Sequence, residues 1–213
     1  MPPTPHPPSH SPLLLRSLTS GDREQWDAFI QSAANGCFMQ AWAWADFKEL
    51  EGYQTFRYGL FVAEETNEKL VGGCIFYFFP SSHDANLLMA PGGPFLLPGF
   101  ELEGMQLLLN QATVLAKEWG AIALRIEPLL SEKPNYLQGF VRAPVDLLFS
   151  ETLLIDLRPT EAKILQSMKP KGRYNVRLSQ RHGVETRFTT DPQAIPVFYD
   201  LFWETGETPA FFW

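Results

Sequence analysis

The chain has 213 residues, 45% hydrophobic and 14% aromatic, and carries a formal net charge of -7. That length and apolar content suffice for a packed core and exclude a disordered chain, while the acidic balance excludes extended nonspecific nucleic-acid binding. Its two cysteines, Cys37 and Cys74, are too few for a disulfide scaffold and lack any zinc-type Cys/His spacing, so both read as reduced core residues.

Residues 1–12 are dominated by Pro, with Ser, Thr, His6 and His10 between, and read as a disordered tail. A His6/His10 metal site would lack further ligands. The N-terminus offers no apolar signal core, and no run reaches the roughly eighteen apolar residues that a membrane span needs, so cytoplasm is the expected location. Leu13 to Leu18 predicts a strand, and Ser20 reads as the cap of a helix carrying Trp26, Phe29 and Ile30, stopped by Asn35-Gly36. A second helix is expected from about Met39 to Leu50, ending at Gly52, with Trp44, Phe47 and Lys48 on one side.

Thr55 to Glu64 and Leu70 to Phe79 are β-rich runs around a polar turn at Asn67, an antiparallel hairpin. Asn86 to Ala90 reads as a shorter strand entering the corner Pro91-Gly92-Gly93-Pro94. Gly99 to Trp119 is the longest helical pattern, with Leu107, Leu108, Ala112, Leu115 and Trp119 near one face and Gly120 closing it. Ala121 to Glu127 returns as a strand stopped by Pro128. The expected fold class is α/β (α+β), a mixed sheet flanked by helices in a layout analogous to the Gcn5-related acyltransferases, over residues 13–150.

From Glu151 the order restarts: strand Thr152 to Leu157, a helix with Ile164, Leu165 and Met168, a basic helix from about Arg173, strand Val184 to Phe188, and helix Pro196 to Thr205. Residues 151–213 therefore read as an incomplete second domain of the same kind. Lys163, Lys169, Lys171, Arg173, Arg177 and Arg181 fall within nineteen residues that contain no acid. In a helix Arg173, Arg177 and Arg181 stack at i, i+4 and i+8, a like-charge arrangement that costs a few tenths of a kcal/mol per pair. A phosphate-rich partner would compensate; a solvated basic helix is the other reading.

Three separated segments resemble the Fem peptidyltransferases, which use aminoacyl-tRNA to extend peptidoglycan stem peptides. They are GCFMQAWAWADFKELEGY (Gly36 to Tyr53), MAPGGPFL (Met89 to Leu96) and KPKGRYNVRLSQRHGVE (Lys169 to Glu185), with ALRIEP (Ala123 to Pro128) similar to the family's strand after the long helix. The resemblance runs from Leu13 to about Phe212. It implies two Gcn5-type domains and a cleft for a nucleotide-linked muramyl peptide.

For single residues the resemblance implies that Lys48 contacts the acceptor's diphosphate, the alternative being a lysine on a solvated helix face. Trp44 would wall the cleft or pack in the core, and Gly93 and Pro94 would admit a ligand close to the backbone or simply turn the chain. Glu127 would orient or deprotonate the acceptor amine as a catalytic residue, or merely end its strand. Lys169, Lys171, Arg173, Arg177 and Arg181 would bind tRNA phosphates.

The implied reaction transfers an aminoacyl group from aminoacyl-tRNA to an amine of a nucleotide- or lipid-linked muramyl peptide, with no cofactor and no metal. The family's later second-domain residues have no counterpart before Trp213, so a separately encoded C-terminal half is an expected partner, and a non-catalytic split half the alternative function. An acyl-CoA-dependent N-acetyltransferase is the remaining rival. It expects a Gly-rich pyrophosphate cradle where this chain reads GGPFLLPGFELEG.

Overall fold

The hairpin and meander form largely where the alternation of apolar and β-branched residues puts them. The structure, a computed structural model, describes residues 12–33, 35–64, 67–80, 85–148, 151 and 153–206. His6 and His10 of the proline-rich tail and Phe211, Phe212 and Trp213 lie outside the described residues. The chain divides into two compact units, Met1–Ser150 and Glu151–Trp213.

In the first unit β1 (Leu13–Ser17), β2 (Gln54–Ala63), β3 (Glu68–Phe79), β4 (Leu87–Pro91) and β6 (Ala123–Glu127) lie in that spatial order, and the short β5 (Phe95–Leu96) pairs with β3. The first four strands are antiparallel to their neighbours, whereas β4 and β6 are parallel, from Leu87↔Ala123 to Pro91↔Glu127. A parallel pair needs a crossover, here α3 (Glu101–Trp119). The expected mixed sheet flanked by helices is therefore the observed one.

Helices cover both faces of the sheet, so β3 is apolar on both sides. Ile75 and Tyr77 join Trp26, Ile30, Trp42, Ala45, Phe61 and Phe95 in one buried cluster, under α1 (Arg23–Ser32) and α2 (Trp42–Leu50). Cys74, Phe76 and Phe78 join Leu60, Leu88, Leu108, Ala112 and Leu115 in the other, under α3. Both cysteines are free and buried, as read from the sequence.

Three helix boundaries shift for identifiable reasons. Ser20 is not the cap before α1: it lies inside a short 3-10 turn, Ser20–Asp22, which Thr19 caps, and Asp22 occupies the cap position of α1. The Thr19 N–H and hydroxyl both donate to the Asp22 carboxylate, at 2.8 and 3.0 Å. The second helix starts at Trp42 rather than Met39, because Phe38–Gln40 forms its own 3-10 turn and the Trp42 N–H donates to Asp27 Oδ1 at 2.8 Å. The long helix starts at Glu101, whose carboxylate accepts from the Gly99 N–H at 2.7 Å, and closes at Gly120 in the left-handed region, φ 69°.

The second unit holds α4 (Glu161–Ser167), α5 (Pro170–Arg181) and α6 (Ile195–Gly206), close to the expected helices. Neither expected strand, Thr152 to Leu157 nor Val184 to Phe188, is found among the described residues. An alternating or β-branched run makes a strand only when a neighbour completes its ladder. Leu154 is 88% exposed and Phe188 fully exposed, so among the described residues these runs have no such neighbour.

Candidate functional site

Three of the segments singled out in the sequence meet in the first unit, and the residue that joins the first two, Gly36 to Tyr53 and Met89 to Leu96, is Gln40. Its side chain is fully buried. Oε1 accepts from the Ile75 N–H at 2.8 Å, while Nε2 donates to the Ile75 and Pro91 carbonyls, each at 3.0 Å. The Gln40 carbonyl accepts the Trp26 indole N–H at 2.7 Å, and the Tyr77 hydroxyl donates to the Met39 carbonyl at 2.5 Å. The turn before α2 is thus fixed to β3 and to the end of β4.

The corner that follows β4 contains a cis Gly93-Pro94 bond. A Cβ on Gly93 would fall 2.8 Å from Gln40 Cδ, so the glycine here admits the buried Gln40 side chain. The Gly92 N–H donates to the Glu127 carbonyl at 3.0 Å, which extends the β4–β6 ladder into the corner. Gly93, Pro94 and Glu127 are accordingly brought together.

Glu127 is partly buried and engaged. Its Oε1 accepts from Arg125 Nη2 at 2.6 Å, from Arg125 Nε at 3.2 Å and from the Leu147 N–H at 3.1 Å. Arg125 Nη2 also donates to the Val145 carbonyl at 2.5 Å. The pair therefore clips the segment around Val145 to Leu147 against the edge strand. Arg125 could have been read from the sequence, since residues two apart on a strand share a face; Leu147 could not.

Lys48 sits about 1.7 turns along α2 from its start at Trp42, about 9 Å at the helical rise. Its ammonium forms an ion pair with Glu51. It lies 4.3 Å from the Tyr53 ring centroid, 5.9 Å from that of Trp44 and 6.0 Å from that of Phe47. The sharing of one side by Trp44, Phe47 and Lys48 is as expected, and Trp44 packs edge-on against the exposed Phe38 at 4.9 Å. The opposite side of α2 is held by Arg57, which donates to Asp46 at 2.8 Å and Glu49 at 2.9 Å and lies 4.7 Å over the Trp42 ring.

In the second unit Lys169 is the N-cap of α5 and Lys171 lies in its first turn, which contains no acid. Cations at the positive end of a helix dipole cost up to about 1 kcal/mol each. Arg173, Tyr174, Arg177 and Arg181 line one open face of the helix. Arg173 relieves part of the crowding by donating to the Gln166 carbonyl at 3.0 Å and to that of Met168, and Arg181 lies 5.9 Å from the Tyr174 ring. Among the described residues no three His, Cys, Asp or Glu side chains cluster as a metal site requires. No described helix is long and apolar enough to cross a membrane.

An α/β protein, with a mixed sheet flanked by helices followed by a helical unit with a cationic face, is the class these features define. Residues 149–211, which contain α5, match the FemAB family model. Along 88% of its length it is 24% identical to proteins named lipid II:glycine glycyltransferase from Staphylococcus epidermidis and Staphylococcus aureus. The chain spans about half the length of these curated relatives, 47%. The structure titled "Crystal structure of FemX" superposes with a TM-score of 0.70 at 22% identity, over 93% of this chain and 51% of that one. The Fem resemblance stated from the sequence thus holds, and the fold is shared.

Proposed function

We propose that the chain takes part in transferring an aminoacyl group from aminoacyl-tRNA to an amine of a peptidoglycan stem peptide. The observation that carries this reading is the cationic face of α5, set against the helix dipole inside the FemAB-matching segment. Its cations would meet tRNA phosphates. The relatives' name, with lipid II as the glycyl acceptor, supports a lipid-linked acceptor. Lys48 would face its diphosphate, exchanging its Glu51 partner for phosphate oxygen.

The chemistry asks little beyond placement. The acceptor amine attacks the ester carbonyl of the aminoacyl-tRNA, and the tetrahedral intermediate expels the terminal ribose oxygen. The amine proton passes to that oxygen or to solvent, leaving an amide and free tRNA. The ester supplies the driving force, so positioning and oxyanion stabilisation carry the catalysis. Glu127, with its carboxylate held by Arg125 and Leu147, would orient the amine.

Acyl-CoA chemistry is disfavoured by the junction between β4 and α3. Glu101 and Glu103 occupy the first turn of α3, and the Glu101 carboxylate already accepts from the Gly99 N–H. Acids there repel a pyrophosphate. The exposed Phe198, Phe202 and Trp203 of α6 favour further polypeptide covering the second unit.

The test mixes the chain, with and without the product of the neighbouring gene, with glycyl-tRNA and a muramyl-pentapeptide acceptor. Gain of one residue's mass on the acceptor is expected. Transfer from acetyl-CoA, with none from charged tRNA under either condition, would overturn the reading.

A further inference from the structure

Gln40 has no exposed surface, so it touches neither reactant. Its importance lies in what it joins. On one side it precedes the first turn of α2, the helix that ends near Lys48. On the other it holds the carbonyl of Pro91, the last residue of β4 and the first of the corner. Pro91 is in register with Glu127, and the next amide, Gly92 N–H, is bonded to the Glu127 carbonyl.

One buried amide therefore ties the start of α2 to the corner directly, and to Glu127 through the neighbouring Gly92 N–H. An amide is the one neutral group of this length that suits the place, because the surroundings offer one donor, Ile75 N–H, and two acceptors, the Ile75 and Pro91 carbonyls. A thioether satisfies none of them, and a carboxylate satisfies only the donor while facing two carbonyl oxygens. The corner approaches this amide closely because residue 93 has no side chain.

The geometry points to Gln40 as a positioning residue for acceptor binding: its amide fixes the distance between the helix of Lys48 and the Gly93-Pro94 corner. This rests on the proposed role of Lys48 at the acceptor's diphosphate. Loss of the amide leaves the fold's two apolar clusters in place but releases the corner from α2.

The experiment titrates a nucleotide-linked muramyl pentapeptide into the full chain by calorimetry, comparing wild type, Gln40→Met, Lys48→Ala and the double variant, with uncharged tRNA titrated into the same samples. Near-UV circular dichroism establishes that each variant is folded at the titration temperature. Gln40→Met is expected to weaken acceptor binding about tenfold with tRNA affinity unchanged. Lys48→Ala is expected to cost much less in the Gln40→Met background than in wild type, because the two act on one site.

Should Gln40→Met fail to fold, Gln40→Glu takes its place with the same pattern expected. Wild-type acceptor affinity in a folded Gln40 variant, with only a lower melting temperature, overturns the proposal and leaves Gln40 a packing residue. Strict additivity with Lys48→Ala does the same. If wild type does not bind the acceptor, or Lys48→Ala binds it normally, the reading of Lys48 itself has failed and the Gln40 proposal goes with it.

Discussion

Arg57 lies 4.7 Å over the ring of Trp42 while its two terminal nitrogens reach Asp46 and Glu49, all three partners being on α2. A single β2 side chain thus holds the first and second turns of that helix. Its own side chain is 14% exposed, so the stacking is largely shielded from water, whereas the two carboxylates are about half exposed and screened. Replacing Arg57 with Met is expected to destabilise the chain by about 1–2 kcal/mol in urea unfolding. Arg57→Lys should recover only part, since an ammonium cannot fork to both carboxylates. A loss within experimental error would mean that the network contributes nothing net.

Asp22 gives a pH dependence with a defined sign. The bidentate hydrogen bonds from Arg16, helped by the Thr19 N–H, hold its carboxyl well below the usual carboxylate range despite partial burial. A depressed value in the folded state means that the stabilisation is complete above the unfolded value of about 4 and is lost as pH falls below it. Between pH 5 and about 3, wild type should therefore lose stability more steeply than Asp22→Asn, which no longer carries this linkage. Parallel curves for the two proteins would refute it.

For the cationic face of α5, the variant Arg173→Ala/Arg177→Ala/Arg181→Ala is expected to bind tRNA more weakly. Its slope of log affinity against log salt should be shallower by about two to three. Arg173 also bonds the carbonyls of Gln166 and Met168, so the double variant Arg177→Ala/Arg181→Ala separates phosphate contact from support of the α4–α5 turn. Identical retention of all three proteins at every ionic strength would make α5 an ordinary solvated helix.

Lys48→Ala is expected to weaken binding of the muramyl-peptide acceptor about tenfold and leave the melting temperature within a degree or two, because its pairing with Glu51 is an exposed i,i+3 contact worth little. An unchanged dissociation constant would take Lys48 out of the site.

How much of this was legible follows from which interactions are local. The meander, the long helix with Gly120 behind it and the pairing of Trp44, Phe47 and Lys48 follow from periodicity and turn chemistry, which a sequence displays directly. The start of α2 was misplaced because Gln40 spends its side chain on β3 and β4, thirty-five and fifty-one residues away. A lone Gln among Cys37, Phe38, Met39, Trp42 and Trp44 was the available signal. The two strands expected in the second unit fail for the converse reason: an apolar run at Leu153 to Ile155 and an alternating one at Val184 to Phe188 are present, but the described residues of that unit offer no ladder to join. At Glu127 the acid was located, while its partner Leu147, twenty residues on, left no local trace.

The two cysteines occupy different layers, Cys37 in the cluster under α1 and α2, and Cys74 in the one under α3, and burial pushes both thiols up. The sheet stands between them, which prevents their oxidation to one another and blunts their nucleophilicity toward electrophiles. A single cysteine introduced at an exposed position would then react with a maleimide dye almost alone, so fluorescence on either unit can be installed without first removing the native sulfur.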